Sequence, residues 1–248
     1  MTVVAKKRFG QNFLTSEVVI ARIIQAISPK ADDVMLEIGP GLGALTYSLL
    51  PCIQHLFAIE IDRDLAAQLY TDQQNLTVFM QDALDFDFAI LPVVQKIRVV
   101  GNLPYNISTP LLFHWLAAMD RWQDAHFMLQ KEVVDRIVAG PGNKTYGQLS
   151  VILQYYCEVE RVFVVPPSAF SPRPKVQSAI LRLRPKHERS LPFALERHFV
   201  ALVKQAFSQR RKTLNNTLGA WVGDYLDGSR RAETLSIAEF VMLATARV

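Results

Sequence analysis

Asn102-Leu103-Pro104-Tyr105 brings together residue types suited to moving a group onto an exocyclic amine of a purine. The lone pair of such an amine is delocalised into the ring, which makes it a poor nucleophile. Hydrogen bonds from its two protons to the Asn102 side-chain carbonyl and to a main-chain carbonyl of Leu103 or Pro104 favour a tetrahedral nitrogen with a localised lone pair. Tyr105 supplies a stacking face for an extruded base, a contact worth about 1–3 kcal/mol. The same four residues also read simply as a turn after a strand.

A second constellation lies upstream. Gly39-Pro40-Gly41-Leu42-Gly43-Ala44 follows an apolar run and precedes a helical pattern, so the backbone can turn tightly and approach a ligand closely. Glu60, at the end of the next apolar run, is placed to accept hydrogen bonds from ribose hydroxyls. Asp82 in Gln81-Asp82-Ala83 can accept from an adenine amino group. Gly39-x-Gly41-x-x-Ala44 also satisfies the dinucleotide fingerprint, so a nicotinamide enzyme stays open on these residues. Against it stands Glu37, a carboxylate beside the glycine loop that repels a pyrophosphate and suits a sulfonium cation.

Positioning these groups requires a sheet. Val34–Ile38, His55–Glu60, Leu76–Met80, Arg98–Val100 and His126–Leu129 read as five apolar strands. Helical patterns lie between them, at about Ala44–Leu50, Asp64–Tyr70, Pro110–Met119 and Glu132–Val138. Alternation of this kind predicts a parallel sheet covered on both faces, with ligands at the carboxyl ends of the strands. A helix at Gln148–Tyr156 then leads to Val159–Val165, a proline-rich stretch from Pro166 to Pro174, and Val176–Leu183. Two strands joined without a helix predict an antiparallel addition at the sheet edge. Beyond Pro185 the pattern is helical, giving an α/β domain over 1–184 and a small helical domain over 185–248.

The net charge of +4 conceals an asymmetry. Residues 1–22 hold four basic groups and one acidic group, residues 182–248 hold twelve and six, and the segment between them carries −5. Basic ends around an acidic centre suit a polyanion held by the ends. No apolar run approaches the roughly 20 residues of a membrane span. The five histidines and two cysteines lack metal-ligand spacing, and so few cysteines suit a reducing, cytoplasmic compartment.

With these residues assembled, the chain resembles the KsgA/RsmA family of small-subunit ribosomal RNA adenine dimethyltransferases from Lys6 to Leu183 and again over Gln205–Leu214. The resemblance implies a Rossmann-like class I S-adenosylmethionine-dependent methyltransferase sheet, mostly parallel with one antiparallel strand, and a small α-helical C-terminal domain. Phe9-Gly10-Gln11-Asn12-Phe13-Leu14 resembles the family's amino-terminal motif, in which Asn12 and Leu14 line the cofactor pocket. Gly39, Gly41, Glu60 and Asp82 match its cofactor positions and Asn102 its catalytic asparagine, in a site completed by Leu103, Pro104 and Tyr105. Phe170, in Ser168-Ala169-Phe170-Ser171-Pro172, looks like the aromatic that closes on the other face of the target base.

The implied cofactor is S-adenosyl-L-methionine. The implied substrate is a pair of adjacent adenosines in the 3′-terminal hairpin loop of 16S rRNA within the 30S subunit, and the implied state is a monomer with no metal and no membrane. Lys6, Lys7 and Arg8, interleaved with Phe9 and Phe13, read as a basic lid. Lys204, Arg210, Arg211 and Lys212, the last three on a predicted helix, read as phosphate contacts. Three other readings remain: a related enzyme acting on large-subunit RNA, a DNA adenine methyltransferase, and a ribosome-assembly factor whose catalysis is secondary.

Overall fold

The computed structural model describes residues 11–69 and 73–246. These group into two compact units. The first comprises the described residues up to Val134 together with Glu160–Pro185. The second comprises Asp135–Val159 and the described residues from Lys186 onward.

In chain order the first unit begins with β1 (Phe13–Leu14) and α1 (Glu17–Ile27), followed by β2 (Val34–Ile38), α2 (Thr46–Leu49), β3 (His55–Glu60), α3 (Arg63–Leu69) and β4 (Leu76–Met80). Next come β5 (Ile97–Asn102), α4 (Ser108–Ala117), β6 (Trp122–Gln130) and α5 (Lys131–Ile137), which crosses into the second unit. After α6 (Gln148–Tyr156), β7 (Cys157–Val165) returns to the sheet, the short β8 (Phe170–Ser171) follows, and β9 (Ser178–Pro185) completes the sheet. The seven-stranded sheet runs β4-β3-β2-β5-β6-β9-β7, and β1 pairs separately with β8.

β2, buried along its whole length, lies between β3 and β5, parallel to both. Such double coverage explains why this strand is an unbroken apolar run apart from Glu37. β5 and β6 are also parallel, whereas β9 runs antiparallel to β6, with Phe127 opposite Leu181. The antiparallel addition is therefore as expected in direction, but β9 stands inside the order, with β7 outside it.

α1 lies outside the expected alternation. Ser16 caps it, its hydroxyl accepting from Val19 N, and Val19, Ile23 and Ile27 form its buried stripe. The amino end of the sheet is closed by Arg98 on β5. Its guanidinium donates to Asp124 Oδ1 (2.9 Å) and Oδ2 (2.8 Å), to Asp33 Oδ2 (2.8 Å) and to the Ile27 carbonyl at the foot of α1 (2.6 Å). A bidentate, multiply bonded arginine of this kind is the form in which a buried ion pair holds without stranded charge.

In the second unit α7 (Phe193–Ala206) packs on α6 and α9 (Ile237–Thr245), with α8 (Leu214–Thr217) beside it. Phe199, Leu202 and Val203 from α7 and Phe240 and Leu243 from α9 are fully buried. α6, with Leu149, Val151, Ile152 and Leu153 buried, contributes a face to this helical core. Asp135–Val159 therefore groups with the C-terminal helices, where the sequence reading assigned it to the N-terminal domain. Among the described residues no helix is long and apolar enough to cross a membrane.

Candidate active site

A cleft of ≈ 240 Å³ opens at the carboxyl ends of β2, β3 and β5. Its walls are Gln11–Leu14, Glu37–Gly41, Glu60, Asp82 and Asn102–Tyr105, so ten expected residues meet there: Asn12, Leu14, Gly39, Gly41, Glu60, Asp82, Asn102, Leu103, Pro104 and Tyr105. Those from Gly39 to Tyr105 meet because parallel strands present all their carboxyl ends on one edge, whereas Asn12 and Leu14 belong to the segment of β1, which pairs with β8.

The glycine loop turns through left-handed backbone at Gly39 (φ 65) and Gly41 (φ 59), a conformation that side chains resist. A Cβ at Gly41 would also sit 3.2 Å from the Phe13 ring, which covers the loop. The helix that follows differs from the expected Ala44–Leu50: α2 has only four residues and runs on into a single tight turn, Leu50–Cys52. So short a helix offers little dipole to a pyrophosphate.

Glu60 is buried and ties the loop to the end of β3. Its Oε2 accepts from Gly41 N (3.1 Å) and its Oε1 from Asp62 N (2.9 Å). Burial pushes its pKa up, while these backbone donors pull the other way. A carboxylate has about four acceptor sites, so with backbone donors at Gly41, Ile61 and Asp62 it keeps room to accept from a ribose hydroxyl.

Glu37 is deeper still, 2% exposed, with Thr46 Oγ1 donating to its Oε2 at 2.6 Å. Burial raises its pKa to about 7, and the nearby Glu60 charge adds to the rise, whereas the Thr46 hydroxyl opposes it. Ionised Glu37 is thus costly at this depth and is relieved by a nearby cation. Asp82 folds its own loop, its Oδ1 accepting from Leu84 N (2.9 Å).

Asn102 ends β5. Its Nδ2 donates to the Asn12 main-chain carbonyl at 2.9 Å, so the amide is oriented and Oδ1 is the atom left to accept from a ligand. Tyr105 is anchored at its far end, its hydroxyl 2.6 Å from Ser178 Oγ on β9. The segment bearing Asn12 is itself pinned. Phe13 and Leu14 pair with Ser171 and Phe170, Thr15 N donates to the Ala169 carbonyl (2.8 Å), and Gln11 Nε2 donates to Asp62 Oδ2 (3.1 Å).

Phe170 differs from expectation. It is 3% exposed, packed in the core with Leu14, Val19 and Ile180, and it is not part of the cleft wall. It pairs with Leu14, which does line the cleft.

The basic candidates divide. Lys6, Lys7 and Arg8 lie outside the described residues. Lys204 is exposed in the last turn of α7, and Arg210, Arg211 and Lys212 are exposed in the second unit. These three occupy turns between α7 and α8 where a helix was expected. Ser208 Oγ donates to the Gln205 carbonyl (2.7 Å), which ends α7 early, and the Arg210 guanidinium bonds the Lys144 carbonyl.

Sequence reasoning passed over Thr46, Asp62 and Ser178. Ser178 meets Tyr105 across 73 positions, a separation that leaves no local signal. No group of three or more His, Cys, Asp or Glu that could hold a metal ion occurs among the described residues.

Residues 3–239 match the family model described as ribosomal RNA adenine dimethylase. The chain is 51% identical over 249 residues to the ribosomal RNA small subunit methyltransferase A of Laribacter hongkongensis, covering 97% of this chain and 95% of the relative. It superposes on a dimethyladenosine transferase from Plasmodium falciparum with TM-score 0.79 at 28% identity, over 93% of this chain and 95% of that one. The 23S rRNA methyltransferase ErmE gives TM-score 0.71 at 27% identity, over 94% and 98%.

Proposed function

This chain belongs to the ribosomal RNA adenine dimethylase family, and from that premise we propose that it dimethylates the exocyclic amines of two adjacent adenosines in the 3′-terminal hairpin loop of 16S rRNA, within the 30S subunit. It is an S-adenosylmethionine-dependent rRNA adenine dimethyltransferase with a class I methyltransferase sheet. It works in the cytoplasm as a monomer, with the sheet-bearing unit as the catalytic region and the helical unit, Asp135–Val159 with the described residues from Lys186 onward, docking on RNA.

The observation that carries the reading is Asn102, at the carboxyl end of β5 with its amide nitrogen held by the Asn12 carbonyl. Fixing Nδ2 leaves Oδ1 to accept one proton of the target amine, while a main-chain carbonyl of Leu103 or Pro104 takes the other. Tyr105, tethered by Ser178, stacks on the flipped base. Holding the amine in near-attack geometry is the main source of acceleration for an in-line displacement.

The cleft fits S-adenosylmethionine. Glu60 takes a ribose hydroxyl, Asp82 the adenine amine, Gly39 and Gly41 leave room for close approach, and Asn12 and Leu14 complete the wall. When bound, the cofactor supplies a methyl group made electrophilic by its sulfonium. Glu37 and Glu60 at its side make the cleft attractive to a cation and repulsive to a pyrophosphate. No strong general base stands beside Asn102 and none is needed, because the alkylated amine is acidic enough to lose its proton to water. Phe170 pairs with Leu14 of the cleft wall, and Lys6, Lys7, Arg8, Lys204, Arg210, Arg211 and Lys212 contact RNA phosphates.

Thermal unfolding with ligands tests the cofactor assignment. S-adenosylhomocysteine should raise the unfolding temperature by several degrees at saturation and NAD should leave it unchanged. The reverse would overturn the reading.

A further inference from the structure

The loop between β8 and β9, residues 172–177, is held at both ends by the active site. At its start Phe170 and Ser171 pair with Leu14 and Phe13 on the cleft wall. At its finish the Gln177 carbonyl accepts from Lys131 N (2.9 Å), just past the carboxyl end of β6, and Ser178 Oγ meets the Tyr105 hydroxyl at 2.6 Å. Two prolines, Pro172 and Pro174, restrict the backbone between these ties. A loop so anchored stays at the rim of the cleft.

Its two cations have no task within the fold. Arg173 and Lys175 are exposed and make no ion pair or hydrogen bond with the described residues. Arg98 and Arg182, by contrast, are both engaged by carboxylates. Arg173 and Lys175 alternate about Pro174, so their Cα atoms stand no more than about 7 Å apart. Arg173 is three residues from Phe170 and Lys175 three from Ser178, so each lies within about 11 Å of a residue that touches the cleft wall or Tyr105. Two free cations at that spacing suit successive phosphates of a single strand. A guanidinium offers a fork to one phosphate and an ammonium a point charge to the next.

We propose that Arg173 and Lys175 form a phosphate clasp that grips the RNA backbone beside the nucleotide presented to Asn102 and Tyr105. This rests on the reading of the chain as an RNA methyltransferase. It adds a second, local grip to the one assigned to Lys204 and Arg210–Lys212. The clasp fixes the strand at the site of chemistry, whereas the cations of the second unit hold the subunit.

The test is steady-state methylation of under-methylated 30S subunits as a function of salt, comparing wild type, Arg173→Glu/Lys175→Glu, and a control, Lys30→Glu/Lys96→Glu. The control places the same charge change on exposed positions at the opposite end of the sheet. The clasp variant should raise KM for subunits about tenfold at low salt and lower the salt slope of log kcat/KM by about 1.4, as expected for two single-strand phosphate contacts. The loss should fall on KM rather than kcat, and the thermal shift by S-adenosylhomocysteine should persist. Arg173→Gln/Lys175→Gln, milder in charge, should show the same pattern at reduced size and guards against a folding defect. Equal effects in clasp and control variants, or a wild-type KM and slope in both clasp variants, would overturn the clasp. A wild-type protein that methylates no RNA would instead overturn the reading on which the clasp rests.

Discussion

The two ends of the central sheet use buried charge in opposite ways. At the amino end Arg98 is surrounded by Asp124, Asp33 and the Ile27 carbonyl, with each carboxylate facing a cation. At the carboxyl end Glu37 and Glu60 are buried with hydroxyl and amide donors and, among the described residues, no cation pairs with them, and the Glu37 pKa is driven up to about 7. One end is complete in itself, and the other is complete only with a ligand. Stability and function are thus assigned to opposite edges of the same strands, with β5 carrying Arg98 at its start and Asn102 at its finish.

The sharpest way to break this contrast is to remove the centre of the closed end. Arg98→Met strands Asp124 and should cost about 3–5 kcal/mol in urea unfolding, while cofactor affinity per folded molecule stays near wild type. A loss below about 1 kcal/mol would mean that water replaces the guanidinium and that this end is not sealed. At the open end the ranking reverses. Asn102→Ala should lower kcat about 10²–10³-fold, the scale of losing one well-placed transition-state hydrogen bond, with little change in the urea midpoint. Normal turnover would remove Asn102 from the chemistry.

A smaller effect sharpens the comparison through pH. The Glu37 carboxyl has a folded pKa near 7 against 4.5 when free, so between these values the native state holds a proton that the unfolded chain has lost. Stability therefore falls as pH rises from about 4.5 to 7 and stays reduced above that. Glu37→Gln should raise the unfolding temperature of the ligand-free protein at pH 8 by about 5 °C and change it little at pH 4. An equal gain at both pH values would show that the carboxyl pays no ionisation cost in the fold.

The sequence discloses these two ends unequally. Strands β2 and β3 were legible to the residue because central parallel strands are buried on both faces and must be apolar throughout, and the edge strand β4 was legible from its short β-rich run. The cleft residues were legible because a carboxyl-end ligand site needs glycines, acids and an asparagine at strand ends. What was hidden depends on long-range pairing. Ser178 gripping Tyr105, the Asn12 carbonyl orienting Asn102, and β1 drawing Phe170 into the core each join residues more than 70 positions apart. α6 looked like another helix of the sheet domain, yet its apolar surface is used by α7 and α9, which local pattern does not reveal. The basic run Arg210–Lys212 has good helix formers, but the Ser208 side chain competes for the last carbonyls of α7 and ends it.

The central claim is tested most directly by locating transferred methyl groups. Under-methylated 30S subunits are incubated with the protein and isotopically labelled S-adenosylmethionine, and the RNA is digested and sequenced by mass spectrometry. The account predicts label as N6,N6-dimethyladenosine at two neighbouring adenosines of the 3′-terminal hairpin of 16S rRNA. Label in 23S rRNA, label on another base, or none above a no-enzyme control would contradict it.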